Sequence, residues 1–373
     1  MRRGIAAVLA SVALYRAITA PLLRGYVRDE LRFTDASVGA SFSIQGDVRL
    51  LESVSSPFQH IQIYAHSFFG KIMVIDGDLQ LTARDECIYH EMIAHVPLSL
   101  IFASERNPKV DVLIIGGGDG GVCSEILKRP GVRAVTVCDI DSEVTRLSRK
   151  HFPWMARKCF EDDRVKTVHE SGEVLAERLL ARNHSFDVVI VDSTEFGAST
   201  PLFSDDFHVT LRDLVKPKGG VVVINLTSLA WHAGAIGRAA QRNKDIYRHV
   251  APFGASIPTY MSGHYGMLVS SDAIDATSSQ TPIYVDDLDS QHLCYYSKAM
   301  HRAAFALPQS VRRAIQVQRQ GSLPMEPHVY TACDLIDCAC VAIIFIGACA
   351  GLERVMTTKI FFIRKRDKST KIH

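Results

Sequence analysis

Residues 110–121 constrain the fold of this chain more than any other segment. They read Val-Asp-Val-Leu-Ile-Ile-Gly-Gly-Gly-Asp-Gly-Gly, an apolar run that ends in a glycine loop. The run is typical of a strand buried on both faces, and the glycines at 116, 118 and 121 have the spacing of a dinucleotide-binding turn. A phosphate on that turn would be repelled by Asp119 inside the loop. The segment therefore favours a cationic nucleoside carrying a sulfonium and an amine, with a turn that binds no ligand as the alternative.

The segments after the glycine loop alternate between strand and helix patterns. Strands are predicted at 134–139, 165–169, 186–192 and 220–224, and helices at 142–151 and 173–182. This alternation predicts an α/β fold with a doubly wound parallel sheet, which binds ligands at the carboxyl ends of its strands. Side chains expected at those ends are Asp119, Asp139, Ser171, Asp192 and Glu195.

Two of these acids have a specific interpretation from position alone. Asp139 lies about 20 residues beyond the glycine loop, where an acid commonly holds ribose hydroxyls. A solvated strand end is the alternative for Asp139. Asp192 closes the fourth strand and is the candidate general base, with a helix N-cap before Ser193-Thr194 as the alternative.

Ahead of the main sheet, the chain predicts a small β domain over residues 42–107. Alternating or apolar runs at 61–64 and 71–75 flank a short turn, which is the pattern of a β-hairpin. A helix over 85–95 is expected to lead toward the main sheet. The predicted plan is an N-terminal extension at 1–41, the β-hairpin domain at 42–107, a nucleoside-binding catalytic α/β domain at 108–320, and a C-terminal extension at 321–373.

Composition excludes some classes of partner and compartment. The chain has 373 residues, 47% of them hydrophobic, and a net charge of +2, which gives no reason to expect nucleic acid binding. Its nine cysteines are scattered and odd in number, so we expect a reducing, cytoplasmic compartment and no disulfide framework. Cys338-Ala-Cys340 is interpreted as packing, and no metal site is expected.

The two ends of the chain leave several interpretations open. Residues 1–28 hold five arginines and no acid, which fits a mitochondrial transit peptide, a signal-like segment or a basic amphipathic helix. Residues 335–352 are apolar except for Asp337. As a helix they would span about 27 Å, against about 30 Å for a bilayer core. They predict either a C-terminal membrane anchor, in which Asp337 would be costly, or a packed helix.

Several separate motifs follow one another along the chain. They are, in order, Asp76-Gly-Asp-Leu-Gln80, Tyr89-His-Glu-Met92, the GGGDGG loop at 116–121, Asp192-Ser-Thr, Ile257-Pro-Thr-Tyr260, Tyr295-Tyr and His301-Arg-Ala-Ala-Phe305. Together these motifs resemble the spermidine synthase (aminopropyltransferase) family. The resemblance runs from about residue 42 to about residue 313. It implies a methyltransferase-like (Rossmann-type) sheet, decarboxylated S-adenosylmethionine as co-substrate with no other cofactor, and a small-molecule polyamine acceptor. It also implies a homodimer formed through the N-terminal region.

The resemblance assigns one group of residues to the nucleoside. Asp119 matches the acid that holds the aminopropyl amine, and Asp139 matches the acid that holds the ribose. Ser171 stands where the family has an aspartate for the adenine amine, and its hydroxyl can still accept that bond. The implied nucleoside-binding residues are Gln59, His90, Gly116, Gly117, Gly118, Asp119, Asp139, Ser171 and Gly172. Phe58, before Gln59, replaces a tyrosine of the family.

A second group is assigned to the acceptor amine and to catalysis. Tyr89 and Tyr260 match tyrosines that line the amine site, and Asp192 matches the catalytic acid. The chemistry fits, because an amine with a pKa of about 10 must lose a proton before it can attack carbon. Glu195 replaces an aspartate of the family and is expected to hold the acceptor on a longer arm.

These features predict transfer of an aminopropyl group to putrescine, which would give spermidine and methylthioadenosine. A related transferase that makes spermine or thermospermine is one alternative. A non-catalytic member of the family that binds polyamines or a partner is another, and it is favoured by Ser171 and by Ser228, which stands where the family tends to have a glutamate.

Overall fold

The computed structural model describes residues 27–104, 109–193, 202, 204–215, 217, 219–278, 283 and 293–319. The chain divides into two units at residue 321, and the second unit lies outside the described residues. Three features of the sequence analysis also lie outside the described residues. They are the possible anchor at 335–352, the arginine-rich residues 1–26 and Glu195. Within the described ranges, every helix is too short or too polar to cross a bilayer.

The N-terminal part is a five-stranded antiparallel sheet in sequential order. Its strands are β1 (Val27–Asp35), β2 (Ala40–Ser55), β3 (His60–His66), β4 (Gly70–Ile75) and β5 (Asp78–Thr82). The predicted hairpin is present as β3 and β4, with Tyr64 opposite Ile72. The sheet begins at Val27, so the predicted boundary at residue 42 falls inside β2. The alternation of apolar and polar residues along β1 is irregular, because a register shift lies between Arg28 and Glu30.

Helix α1 (Glu86–Ser104) connects the two sheets. It begins one residue after the predicted start and continues nine residues past the predicted end. Residues 89–101 are buried all round, because the helix packs against the main sheet and a neighbouring helix. With apolar residues on every side, the sequence offers no stripe from which to read where the helix stops.

The main sheet has seven strands in the order β11-β12-β10-β9-β6-β7-β8. They are β6 (Val110–Gly116), β7 (Val132–Cys138), β8 (Val165–Val168), β9 (Val188–Asp192), β10 (Val221–Ser228), β11 (His249–Ala255) and β12 (Tyr265–Ser271). The strands from β10 to β8 are parallel, whereas β12 runs antiparallel to both its neighbours. The predicted parallel sheet is thus mixed at one edge.

Helices cover both faces of this sheet. They are α2 (Gly121–Ile126), α3 (Ser142–His151), α4 (Pro153–Phe160), α5 (Gly172–Ala181), α6 (Asp205–Val215), α7 (Ala233–Ile246), α8 (Lys298–Ala304) and α9 (Gln309–Arg319). Along β6, Val112 and Ile114 belong to the apolar core on one face and Leu113 and Ile115 to the core on the other. This two-sided burial explains the uninterrupted apolar run in the sequence.

The strand order places the functional loops together. β6 lies between β9 on one side and β7 on the other. Because the connections from β6 and β9 depart in opposite directions, a crevice opens at their carboxyl ends, where doubly wound sheets bind ligands. The glycine loop and Asp139 follow strands that end at this crevice, and Asp192 is the last residue of such a strand.

The described residues contain a disulfide that the sequence did not indicate. Cys87 in α1 and Cys294 form a disulfide across 207 residues of sequence, whereas Cys123, Cys138 and Cys159 are free and buried. Only the fold brings Cys87 and Cys294 together, so their spacing in the chain contained no indication of a pair.

Candidate active site

The glycine loop folds back onto the end of β9. Gly116, Gly117 and Gly120 have φ angles of 84°, 68° and 81°, in the left-handed region that favours glycine. The N–H of Gly117 donates to the backbone oxygen of Asp192 at 3.0 Å. A Cβ on Gly116 would lie 1.9 Å from that oxygen, so no side chain fits there. The loop and the end of β9 are therefore held in one fixed arrangement.

Two further glycines make room for other side chains of the site. The N–H of Gly118 donates to Oδ2 of Asp139 at 2.8 Å, and a Cβ on Gly118 would lie 2.4 Å from that oxygen. A Cβ on Gly121 would lie 2.1 Å from Cε1 of His90. These glycines thus seat Asp139 and His90 against the loop, a role that the glycine spacing alone does not reveal.

His90 links the helix to the carboxylate in the loop. Its Nδ1 lies 2.6 Å from Glu86, one helical turn earlier, and its Nε2 lies 3.4 Å from Asp119. Burial by itself lowers the pKa of His90, but Asp119 and Glu86 outweigh burial and raise it well above its ordinary value. Burial likewise raises the pKa of Asp119, and His90 together with the Gly121 N–H brings it below the usual range. His90 is therefore a cation and Asp119 a carboxylate.

Asp139 is tied to the N-terminal sheet through one intermediate residue. Its Oδ1 accepts the N–H of Asp141 at 2.8 Å, and Oδ2 of Asp141 accepts the side-chain amide of Gln59 at 3.0 Å. Ser56 donates to the same oxygen of Asp141 at 2.6 Å. Burial raises the pKa of Asp139 to about 6, although the N–H groups of Asp141 and Gly118 oppose this effect.

Asp192 is the last residue of β9 and accepts the hydroxyl of Tyr89 at 2.5 Å. Burial, and next the negative charge of Asp119, raise its pKa to about 7. The Tyr89 hydrogen bond and the charge of His90 only partly offset them. A carboxyl group in this state exchanges its proton near neutral pH, which is the property required of a general base.

Three tyrosine rings form a wall beside Asp192. The ring centroids of Tyr89 and Tyr260 are 5.9 Å apart, those of Tyr89 and Tyr265 are 6.0 Å apart, and those of Tyr260 and Tyr265 are 5.0 Å apart. The hydroxyl of Tyr260 donates to the backbone oxygen of Gln80 at 2.7 Å. Aromatic faces of this kind bind methylene chains and cations.

Asp85 fixes the position of this wall. The buried carboxylate accepts the Thr82 hydroxyl at 2.6 Å, the Thr259 N–H at 3.0 Å and the Thr259 hydroxyl at 3.1 Å. Thr259 immediately precedes Tyr260, and Asp85 immediately precedes the helix that carries Tyr89. One carboxylate thus joins the elements that carry two of the three rings.

The remaining predicted site residues are placed as follows. Ser171 stands at the start of α5 beside Gly172, and its hydroxyl donates to Glu173 at 3.0 Å. A Cβ on Gly172 would lie 2.2 Å from the side chain of Ile115, so close packing against β6 requires this glycine. Ser228 is buried at the end of β10 and bonds the Ser262 hydroxyl at 2.5 Å.

Sequence reasoning missed several residues that hold the site together. They are Glu86, Asp85, Asp141, Tyr265 and Thr259. Two had a readable pattern, since Glu86 is four residues before His90 and Asp141 has the position of an N-cap before Ser142-Glu143. The others act through contacts between segments that are distant in sequence.

Taken together, the site is an acidic crevice that fits a cationic ligand. His90 contacts Glu86 and Asp119. The charges of Asp119 and Asp139 both raise the pKa of Asp192. A crevice lined with these carboxyl groups repels anions, which agrees with the interpretation of Asp119 in the loop. The tyrosine wall supplies an apolar surface at the same place.

Comparison with known proteins identifies the family. The profile described as "Spermine/spermidine synthase domain" matches residues 86–280, and the one described as "Spermidine synthase tetramerisation domain" matches residues 41–83. The chain belongs to the spermidine synthase family. It is thus an enzyme of the aminopropyltransferase class, and the resemblance inferred from its motifs is confirmed.

Curated relatives and solved structures agree with this assignment. A polyamine aminopropyltransferase of Leptospira biflexa is 36% identical over 270 residues, which are 72% of this chain and 91% of the relative. The spermine synthase of Arabidopsis thaliana is 36% identical over 276 residues, 72% of this chain and 74% of the relative. A spermidine synthase solved with the transition-state analogue AdoDATO superposes with a TM-score of 0.69 at 28% identity, covering 78% of this chain and 97% of that one. The spermidine synthase of Thermotoga maritima also has a TM-score of 0.69 and 28% identity, covering 79% and 97%. The predicted methyltransferase-like fold is confirmed.

Proposed function

We propose that this enzyme transfers the aminopropyl group of decarboxylated S-adenosylmethionine to putrescine, giving spermidine and methylthioadenosine. The observation that carries the proposal is the group of carboxylates at the strand ends. Asp119, Asp139 and Asp192 surround the glycine loop, and Asp192 alone lies under a tyrosine wall. A dicationic acceptor and a cationic donor both suit this charge.

The donor is placed along the glycine loop. Asp119, held ionised by His90, would bind the amine of the aminopropyl group. Asp139 would bind the ribose hydroxyls, while Gln59 supports it through Asp141. Ser171 and Gly172 would contact the adenine. Gly116, Gly117 and Gly118 would allow the nucleoside to approach the backbone, because none of them carries a side chain.

The acceptor is placed between Asp192 and the tyrosines. Tyr89 and Tyr260 would line its methylene chain, and Asp192 would accept the proton of the attacking amine. The nitrogen lone pair then forms a bond to the methylene carbon beside the sulfonium. The carbon–sulfur bond breaks and its electrons neutralise the sulfur, so methylthioadenosine leaves as a thioether without acid help. Alignment and deprotonation supply most of the rate.

Two substitutions relative to the family bear on the choice of acceptor. Glu195, which lies outside the described residues, keeps a carboxylate on an arm that is longer by one methylene, about 1.5 Å. Ser228 bonds Ser262 and the N–H of Trp231, so its hydroxyl is engaged within the protein. We infer a broader acceptor preference than one strict for putrescine. We also propose that residues 41–83 mediate assembly of identical subunits.

The test is a panel of acceptors given to the purified full-length protein. Decarboxylated S-adenosylmethionine is supplied with putrescine, cadaverine, spermidine or no amine, and release of methylthioadenosine is measured. A diamine should give the fastest release, because Asp192 and Glu195 supply negative charge for a dication. Fastest release with spermidine would instead assign a transferase that makes spermine or thermospermine.

Two variants make the test specific for the site. Asp192→Asn should lower turnover by about 100- to 10,000-fold, the usual contribution of a general base. Asp163→Asn alters an exposed aspartate in the turn after α4 and should keep full turnover. Release that is absent with every amine, together with no binding of methylthioadenosine, would support a non-catalytic member of the family.

A further inference from the structure

A disulfide joins the start of α1 to a segment distant in sequence. Cys87 is the second residue of α1, and Cys294 lies in residues 293–296, here called the tyrosine segment because it contains Tyr295 and Tyr296. Cys87 is partly buried and Cys294 is exposed. A thiolate from solution can therefore reach the Cys294 sulfur more readily than the Cys87 sulfur.

The same segment is also held without the disulfide. The carboxylate of Glu91, one turn after Cys87, accepts the backbone N–H groups of Cys294 at 2.7 Å, Tyr295 at 2.8 Å and Tyr296 at 2.7 Å. Glu91 is buried, and hydrogen bonds to a buried carboxylate are the strong kind. Opening the disulfide would thus leave the segment docked, so the bond can be reduced without unfolding.

The disulfide joins the helix that carries Tyr89 to a segment that contacts the residues just before Tyr260. On the helix side, Cys87 follows Glu86 and precedes Tyr89 by two residues. On the other side, the hydroxyl of Tyr295 accepts the N–H of Ser256 at 3.4 Å, and Ser256 leads directly into the turn that ends at Tyr260. A covalent bond at this place restricts how far Tyr89 and Tyr260 can separate.

We propose that Cys87 and Cys294 form a thiol–disulfide exchange site that tightens the amine side of the active site when oxidised. The co-reactants are cellular dithiols and disulfides. In reduction, a thiolate attacks the Cys294 sulfur and the Cys87 sulfur leaves as a thiolate that takes a proton. A second thiol of the reductant then releases Cys294 as a thiol. The protein gains two electrons and two protons, and the dithiol becomes a disulfide.

A metal ion is the competing use of these groups. Cys87, Glu91 and Cys294 lie close enough for their ligand atoms to share an ion, the one such set within the described ranges. Both oxygens of Glu91 already accept backbone N–H groups, Oε1 from Cys294 and Oε2 from Tyr295 and Tyr296. The carboxylate is therefore engaged in docking the segment, which favours the disulfide.

The experiment compares the oxidised and reduced forms of the full-length protein. One sample is equilibrated with glutathione disulfide and one with dithiothreitol. Each is alkylated, digested without reductant and analysed by mass spectrometry. The oxidised sample should yield a peptide pair joined through Cys87 and Cys294, and the reduced sample should be alkylated at both. This readout is independent of the proposed function.

The coupling to the site, which rests on the proposed function, is measured by calorimetry rather than turnover. The dissociation constant of putrescine is determined with methylthioadenosine present. It should be about two- to tenfold lower in the oxidised form, the range expected when one side chain no longer has to be ordered on binding. Cys294→Ser should have the higher dissociation constant of the reduced form, whether it is treated with glutathione disulfide or with dithiothreitol. A variant with Cys333, Cys338, Cys340 and Cys349 all changed to serine should still bind putrescine more tightly in the oxidised form. Apart from Cys87 and Cys294, its remaining cysteines are Cys123, Cys138 and Cys159, which are buried.

The opposite results are equally definite. Alkylation of both cysteines in the glutathione-treated protein, or bound zinc in place of the linked peptides, would overturn the exchange site. Equal affinity for putrescine in the two forms would overturn its coupling to the tyrosine wall. Failure of the proposed function would show differently, as linked peptides in a protein that releases no methylthioadenosine with any amine.

Discussion

Replacing Asp192 by asparagine should stabilise the fold at alkaline pH, although it lowers turnover. Asp192 carries its charge in a partly buried crevice beside Asp119 and Asp139, so the folded protein resists its ionisation. An asparagine has nearly the same shape, can still accept the Tyr89 hydroxyl and carries no charge at any pH. The difference in unfolding free energy between the two proteins therefore isolates the ionisation of one carboxyl group.

The size of the effect follows from the raised pKa. A tenfold change in proton affinity corresponds to about 1.4 kcal/mol, so a pKa raised from 3.8 to about 7 costs the folded protein about 4 kcal/mol once Asp192 is fully ionised. About 1.5 kcal/mol of this is already present at pH 5, because the unfolded carboxyl is then mostly ionised and the folded one is not. The remaining ~2.5 kcal/mol develops between pH 5 and pH 8.

The direction in which stability changes with pH follows from the raised pKa of Asp192. Since the folded protein binds this proton more tightly, the stability contributed by protonated Asp192 is fully present below about pH 4 and is lost as the pH rises through about 7. Unfolding by urea is measured for both proteins at pH 5 and pH 8, and the advantage of Asp192→Asn should grow by about 2.5 kcal/mol. Asp163→Asn is the matched control and should show no such growth. A constant difference, or one that shrinks toward pH 8, would refute the electrostatic account of Asp192.

Further predictions concern the loop, the pH profile, the His90 contacts and the acceptor. Gly118→Ala should weaken methylthioadenosine binding by at least about tenfold, because the new Cβ displaces Asp139. Calorimetry measures the affinity, and an unchanged value would contradict the role of the loop in positioning Asp139. The acidic limb of kcat/KM should bend near pH 7, where Asp192 loses its proton, and a wild-type profile without that bend would argue against Asp192 as the base. Glu86→Gln should lower the free energy of unfolding by about 1–3 kcal/mol in urea titrations at pH 7, because buried His90 loses its charged partner; an unchanged value would mean that the pair contributes nothing. Glu195→Asp should raise the ratio of kcat/KM for putrescine over cadaverine, and an unaltered ratio would separate Glu195 from acceptor choice.

Much of the fold and the centre of the site could be predicted because the evidence is local. The strand before the glycine loop is apolar at every position that faces either core. Asp139 directly follows such a strand, and Asp192 is the last residue of another. Parallel strands bring their carboxyl ends to one edge, so residues at strand ends converge whatever lies between them. The hairpin of β3 and β4 was likewise evident from a short turn between two apolar runs.

The parts that could not be predicted depend on contacts between distant segments. Asp85 bonds Thr259 across 174 residues, and Cys87 meets Cys294 across 207. No periodicity within either segment reports such a contact. The antiparallel direction of β12 could not be predicted either, because a buried run has the same pattern in either direction.

Transfer of a labelled aminopropyl group tests the central claim most directly. The full-length protein is incubated with decarboxylated S-adenosylmethionine that carries ¹³C in its aminopropyl carbons, together with unlabelled putrescine, and the polyamines are analysed by mass spectrometry. The account predicts spermidine that carries the label, formed in equal amount with unlabelled methylthioadenosine and lost in Asp192→Asn. Methylthioadenosine without labelled polyamine, or labelled spermidine formed at the wild-type rate by Asp192→Asn, would contradict it.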